Sequence, residues 1–191
     1  STKLWEMYPE AMQSVLAKHD SVLREAIAAN HGHIIKTTGD GIHAVFEKAI
    51  VAILATIQAQ RALSISELSD NVEFSIRSRM GLYTGEAELR DNDYYGQTLN
   101  RATRLMAAGH GGQILLSDIT AQVTREHLPE QIFLRDTGEH HLKGLLRPER
   151  IHQLIVPDLP QEFPPLHSIS TATNNLPAQL TSFIGRAREI A

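Results

Sequence analysis

Ile34-Ile35-Lys36-Thr37-Thr38-Gly39-Asp40-Gly41-Ile42-His43-Ala44-Val45-Phe46 is the stretch that decides the fold class. Two apolar segments, Ile34–Lys36 and Ile42–Phe46, read as strands joined around Gly39-Asp40-Gly41. Asp-Gly is a strong hairpin signal, so the two strands are expected side by side and antiparallel. On either side the period changes. Upstream, Met12, Val15, Leu16, Val22, Leu23, Ala26 and Ile27 recur at helical spacing after Pro9, and Asn30-His31-Gly32 supplies the stop. Thr2 to Tyr8 is expected as a short helix with Leu4 and Trp5 as packing residues. Downstream, Lys48 to Leu63 reads as a second helix, with Ile50, Ile53, Leu54 and Ile57 inward. Phe74, Ile76, Met80 and Leu82 alternate with Ser75, Arg77 and Arg79 as a half-buried strand. A third helix begins near Gln97 and ends by Gly109-His110-Gly111-Gly112. Ile114–Ser117 is a short strand, Ile119–Leu128 a short helix, and Phe133–Lys143 with Arg150–Val156 a final strand pair. Helices alternate with strands that can pair as hairpins. That points to an α+β sandwich of the split βαβ type with helices on one face of the sheet.

Composition narrows the function classes. The chain has 191 residues, of which 42% are hydrophobic and 21% charged, with a net charge of −4 and no cysteine. It can build one medium domain plus a tail. The acidic balance and the lack of a basic recognition helix argue against nucleic acid as a partner of these residues. Without cysteine there are no disulfides, zinc-thiolate sites or thiol catalysis, which fits a cytoplasmic location. No apolar run reaches membrane-spanning length. After Val156 the composition shifts: Pro157, Pro160, Pro164, Pro165 and Pro177 hold most of the prolines, and Ser, Thr and Asn fill much of Ser168–Asn175. Residues 157–180 therefore read as a linker, extended where proline is dense.

A second segment carries the chemistry: Asp93-Tyr94-Tyr95-Gly96-Gln97-Thr98-Leu99-Asn100-Arg101-Ala102-Thr103-Arg104. It sets a carboxylate ahead of a helix, then an amide and a guanidinium at i, i+4. That spacing puts Asn100 and Arg104 on one flank, with Leu99, Ala102 and Met106 toward the core. Asp40 is the best metal candidate, because Mg2+ is usually held by one or two carboxylates plus phosphate oxygens. Taken singly each residue has an ordinary explanation. Asp40 would serve a hairpin turn, Lys36 would blunt a strand edge, Asp93 would sit in a polar turn, and Asn100 and Arg104 would form a solvated helix face. His31 and His33 read as ordinary polar histidines. Gly109, Gly111 and Gly112 end a helix instead of opening one, so they form no dinucleotide fingerprint.

In combination these residues resemble the class III adenylate/guanylate cyclase catalytic domain. The resemblance runs from Ser1 to about Val156. It rests on Lys36-Thr-Thr-Gly-Asp40-Gly, Arg79-Met-Gly-Leu-Tyr-Thr-Gly85-Glu, Tyr95-Gly-Gln-Thr-Leu-Asn100-Arg-Ala-Thr-Arg104-Leu and His110-Gly-Gly-Gln-Ile-Leu-Leu-Ser117, all in family order. It implies a ferredoxin-like core, a head-to-tail homodimer, and conversion of ATP to 3′,5′-cyclic AMP and pyrophosphate in signal transduction. It gives Lys36 and Asp93 the adenine, Asn100 the ribose ring, Arg104 the α-phosphate and Lys143 the terminal phosphates. Asp40 takes the metal, with two Mg2+ or Mn2+ ions per site. Ser1-Thr2 resemble the end of the motif that follows the family's first strand. That strand and its second metal-binding Asp would lie upstream of Ser1, so the chain by itself is expected to lack a central strand, to be inactive and to aggregate. Lys36 and Asp40 are too close in sequence to reach the two ends of one ATP. The resemblance resolves this by placing them in opposite sites across the dimer. Asn174-Asn175-Leu176-Pro177 and Thr181-Ser182-Phe183-Ile184-Gly185-Arg186 resemble the lead-in to a STAND-type ATPase module, as in bacterial regulators with an N-terminal cyclase domain. The expected organisation is a cyclase domain over 1–156, a linker over 157–180 and the start of the ATPase-like module over 181–191. The rival reading is a catalytically inactive nucleotide-sensing or dimerisation module that regulates such an ATPase.

Overall fold

A computed structural model describes residues 6–39, 41–65, 77–90 and 93–168. Helix α1 (Pro9–Ala29) opens with proline in its first turn and Glu10 beside its positive end. It stops at Asn30, whose side-chain amide donates to the Ala26 carbonyl at 2.8 Å. Strands β1 (His33–Thr38) and β2 (Gly41–Val45) form the expected antiparallel hairpin, with Gly39 at φ +59. Helix α2 (Ala49–Ile65) follows. Next come β3 (Met80–Leu82), the short strands β4 (Glu88–Arg90) and β5 (Asp93–Tyr95), and helix α3 (Gln97–Ala108). The chain continues through β6 (Ile114–Ser117), α4 (Asp118–Thr124), a 3-10 turn (Arg125–His127), β7 (Phe133–His140) and β8 (Glu149–Ile155). Ser117 caps α4 by accepting from the Thr120 N–H at 3.3 Å. The expected Thr2–Tyr8 helix mostly lies outside the described residues, as do Phe74 and Ile76.

The strands form a four-stranded sheet in the order β3-β6-β8-β7 and two separate two-stranded hairpins, β1-β2 and β4-β5. β3 and β6 are parallel, and the remaining ladders are antiparallel. Alternation along β6 assigns its two faces. Ile114 and Leu116 join Leu82, Leu154 and Val156 against Ile53 and Ile57 of α2. Leu115 joins Ile151 against Leu105 and Ala108 of α3. Helices thus cover both faces of the sheet, not one. Periodicity within a helix says which of its sides is apolar but not which side of a sheet receives it.

Two details depart from the helical pattern. Leu54, expected inward, is 39% exposed, while Gln60 is buried and donates to the Ser78 carbonyl at 2.6 Å. On α3 the buried side chains are Leu105 and Ala108, while Leu99, Ala102 and Met106 are only half-buried. The reason is backbone proximity. A Cβ on Gly81 would stand 2.7 Å from the Met106 nitrogen, so the helix main chain itself lies on β3 there. Residues 157–168, expected as a linker, begin in a turn closed by the Leu159 N–H on the Val156 carbonyl at 3.1 Å and lie against the domain. Leu159 is buried with the α2-face core, and Asp158 accepts from Arg61 Nε and Nη2 at 2.7 and 2.8 Å. The signal that could have marked this was the apolar residue at 159 and again at 166 among the prolines.

Candidate functional site

α3 starts at Gly96, whose φ of +138 favours glycine. The Thr98 hydroxyl donates to the Glu86 carbonyl, tying the first turn of the helix to the segment before β4. Burial of Leu105 and Ala108 then fixes which way α3 faces, and Asn100 and Arg104 emerge exposed on one flank. Rotation about the helix axis is held by Arg101. Its Nη1 donates to the Tyr83 hydroxyl at 2.9 Å and to Glu149 Oε1 at 2.7 Å. The Tyr83 hydroxyl, then the Glu149 carboxylate, push the Arg101 pKa further up, so it stays a cation. Arg101 lies in the quoted motif, but sequence reasoning gave it no part. It sits about 100° around the helix from Asn100, and what it meets, Tyr83 and Glu149, is distant in the chain.

Lys143 follows β7 in a turn closed by the Leu145 N–H on the Leu142 carbonyl at 3.1 Å. Leu142 is buried with Leu105, which ties this turn to α3. Gly144 has φ +82, and a Cβ there would lie 3.9 Å from both Nε and Nη2 of Arg104. The Arg104 guanidinium therefore rests on the turn that carries exposed Lys143, and two cations share one end of the site. Neither is ion-paired among the described residues, so both charges remain available to an anion.

The residues expected at the base are held differently. Lys36 is exposed on β1, just after a register irregularity between Ile34 and Lys36. Bulges of this kind re-aim side chains and recur near active sites. The β1-β2 hairpin packs on α1. Asp93, read as part of a polar turn, opens strand β5 opposite Arg90, and that hairpin packs against α3. The Asp93 side chain lies outside the described residues, and so does Asp40. Among the described residues no group of three or more His, Asp or Glu side chains could hold a metal ion. The metal assignment rests on Asp40. A single carboxylate completed by phosphate oxygens is a donor set that Mg2+ takes.

A polar cleft lies elsewhere, lined by Asp118, Arg125, Asp136, Arg150 and His152. Among the described residues, none of the expected site residues lines it. Two pairs in it are hydrogen-bonded, Arg150 donating to Asp136 at 2.6 Å and His152 Nε2 to Asp118 at 2.8 Å, while the buried His152 Nδ1 has no partner among the described residues.

Residues 1–156 match the family described as Adenylate and Guanylate cyclase catalytic domain. The chain belongs to this family. An uncharacterized protein of Mycobacterium tuberculosis is 42% identical over 195 residues, covering 100% of this chain and 65% of its own length. The chain thus spans just under two-thirds of that relative. The adenylate cyclase of Podospora anserina is 30% identical over 81% of this chain and 10% of its own length. Among solved structures, an adenylate/guanylate cyclase/hydrolase from Silicibacter pomeroyi superposes with a TM-score of 0.68 at 29% identity, over 82% of this chain and 90% of that one. The mixed α+β architecture is that of a nucleotidyl cyclase domain, and no helix among the described residues is long and apolar enough to cross a membrane.

Proposed function

We propose that this cyclase domain makes 3′,5′-cyclic AMP and pyrophosphate from ATP. The observation that carries the reading is the Arg104 guanidinium resting on Gly144, beside Lys143, with Asn100 one helical turn away on the same flank. Arg104 neutralises charge that develops on the α-phosphate as the ribose 3′-oxygen attacks in line and pyrophosphate leaves. Lys143 holds the terminal phosphates and Asn100 orients the ribose. At the other end, the Lys36 ammonium donates to N1 of adenine and the Asp93 carboxylate accepts from the N6 amine. Guanine reverses both polarities, so ATP is preferred. A divalent ion, Mg2+ or Mn2+, held by Asp40, supplies screening of the triphosphate charge. Lys36 and Asp40 stand on one hairpin and serve opposite ends of the nucleotide. Two copies therefore meet head to tail, each lending Asp40 to the partner's Lys36, Asp93, Asn100, Lys143 and Arg104. The reaction belongs to cytoplasmic signal transduction.

The test is cyclic AMP formation by the full-length protein from ATP with Mg2+ or Mn2+. Arg104→Ala is expected to lower kcat by about 10² to 10³, and Asp40→Ala to abolish turnover. Because Arg104 is exposed, its removal should leave folding stability within about 0.5 kcal/mol. Full activity in either variant contradicts the mechanism. Wild-type protein that binds ATP without turning it over supports the nucleotide-sensing module instead.

A further inference from the structure

We propose that residues 157–168 form a strap that positions the two phosphate-end cations, with Leu166 as the positioning residue; this rests on the cyclase reading of the site. Leu166 packs on the cluster of Leu105, Ala108, Leu115, Leu142 and Ile151. Leu105 is the immediate neighbour of Arg104, and Leu142 the immediate neighbour of Lys143. One side chain from beyond the last strand thus reaches the shared footing of both cations.

The strap is fastened at both ends. At its start, Asp158 binds Arg61, and the Gln161 carbonyl accepts from Gln153 Nε2 at 2.7 Å and from Arg135 Nη1 at 3.1 Å. At its end, the His167 N–H donates to the Ala108 carbonyl at 2.8 Å. That carbonyl belongs to the last turn of α3, where carbonyls lack a helical partner. The His110 ring, just past α3, donates from Nε2 to the Pro165 carbonyl at 3.0 Å, lies parallel to Phe163 and meets His167 with ring centres 4.5 Å apart. Ser168 reaches His140, near the end of β7, at 3.3 Å. The helix carrying Arg104 and the turn carrying Lys143 are therefore both held by a segment that leads out of the domain. A pull on that segment lifts Leu166 and loosens both cations together. A misplacement of about 1 Å far from the chemistry can cost up to about 10²-fold in rate, so the strap is a physical route by which tension from the C-terminal side sets the rate.

The experiment uses the full-length protein, with cyclic AMP formation and amide hydrogen exchange measured in parallel. Leu166→Ala is expected to lower kcat/KM for ATP by about tenfold, chiefly through kcat. It should also speed exchange in Leu105–Ala108 and Leu142–Leu145 without changing exchange in α1. Leu166→Met, which refills the gap, should return activity to within about twofold. His110→Ala, which loosens the strap without opening the core, should move both readouts the same way by a smaller factor, and it decides the matter if Leu166→Ala fails to fold. Unchanged exchange, or faster exchange with unchanged activity, overturns the proposal. Wild-type protein without cyclase activity would count against the function reading, while the exchange pattern would still decide whether the strap holds α3 and the Lys143 turn.

Discussion

The two ends of the proposed site are built in opposite ways. The phosphate end is set on the core: Arg104 and Lys143 are exposed, but their neighbours Leu105 and Leu142 are 1% and 2% exposed in a single apolar cluster. The proposed base end stands on two small hairpins, β1-β2 and β4-β5, and among the described residues neither is hydrogen-bonded into the four-stranded sheet. Isolated two-stranded ribbons are marginal in water. The difference teaches where each function gets its precision. Charge stabilisation in a transition state needs groups held still before the reaction begins, and buried side chains would supply that hold at the proposed phosphate end. Base reading on hairpins needs support from outside them, which a second copy in the proposed head-to-tail dimer would provide.

The sharpest way to break that contrast is at the base end. If Lys36 and Asp93 read adenine, Lys36→Glu combined with Asp93→Lys reverses both polarities. The ratio of kcat/KM for ATP to that for GTP should then fall by about 10² or more, with Tm nearly unchanged because Lys36 is exposed. A ratio that stays put would move base recognition off these hairpins.

A smaller effect is expected where the phosphate end is oriented. Glu149→Gln keeps the shape of the side chain but weakens its charge-assisted bond to Arg101, leaving Tyr83 as the stronger partner. We expect kcat to fall by about three- to tenfold, with KM for ATP little altered. Arg101→Lys, which cannot fork between both partners as a planar guanidinium does, should do the same. A change in KM alone would mean that the Arg101 contact serves ground-state binding instead.

The smallest effect serves as a control remote from both ends. Arg150, then the Gly138 N–H, holds the Asp136 carboxylate at about 2, below its ordinary 3.8. A depressed pKa in the folded state contributes stability above the unfolded value and loses it as pH falls from 3.8 toward about 2. Asp136→Asn should therefore slightly flatten the acid limb of the stability curve. The pair is solvent-exposed, so the change in Tm at neutral pH should be small, and cyclic AMP formation should not change. Lost activity would tie the Asp118–Asp136 cleft to the site.

Legibility in the sequence tracks how local each signal is. The β1-β2 hairpin, α1, α3 and the β7-β8 pair were readable because periodicity and turn residues are local. The site motif was readable because Asn100 and Arg104 share one helix flank by spacing alone. β4 and β5 were missed, since three-residue strands carry too little alternation to stand out from a polar turn. The second helical layer was missed because periodicity within a helix does not tell which side of a sheet receives it, although Ile114, Leu115 and Leu116 form a continuous apolar run. A run of that kind signals burial on both faces of a strand. The Arg101–Glu149 contact and the strap join residues far apart in the chain, Arg101 to Glu149 and Ala108 to His167, and no local pattern encodes such pairs. The prolines marked a change of composition after Val156, but only packing could reveal what Leu159 and Leu166 touch.

The claim on which the account turns is that one nucleotide is held by two copies of this chain, with Asp40 from one and Arg104 from the other. Complementation tests it directly: full-length Asp40→Ala and Arg104→Ala proteins, each inactive alone, are mixed under conditions that allow subunit exchange, and cyclic AMP is measured. Random exchange makes half the dimers mixed, each with one intact and one doubly damaged site, so activity should return to about a quarter of wild type. A mixture no more active than the two variants measured separately would contradict the shared site.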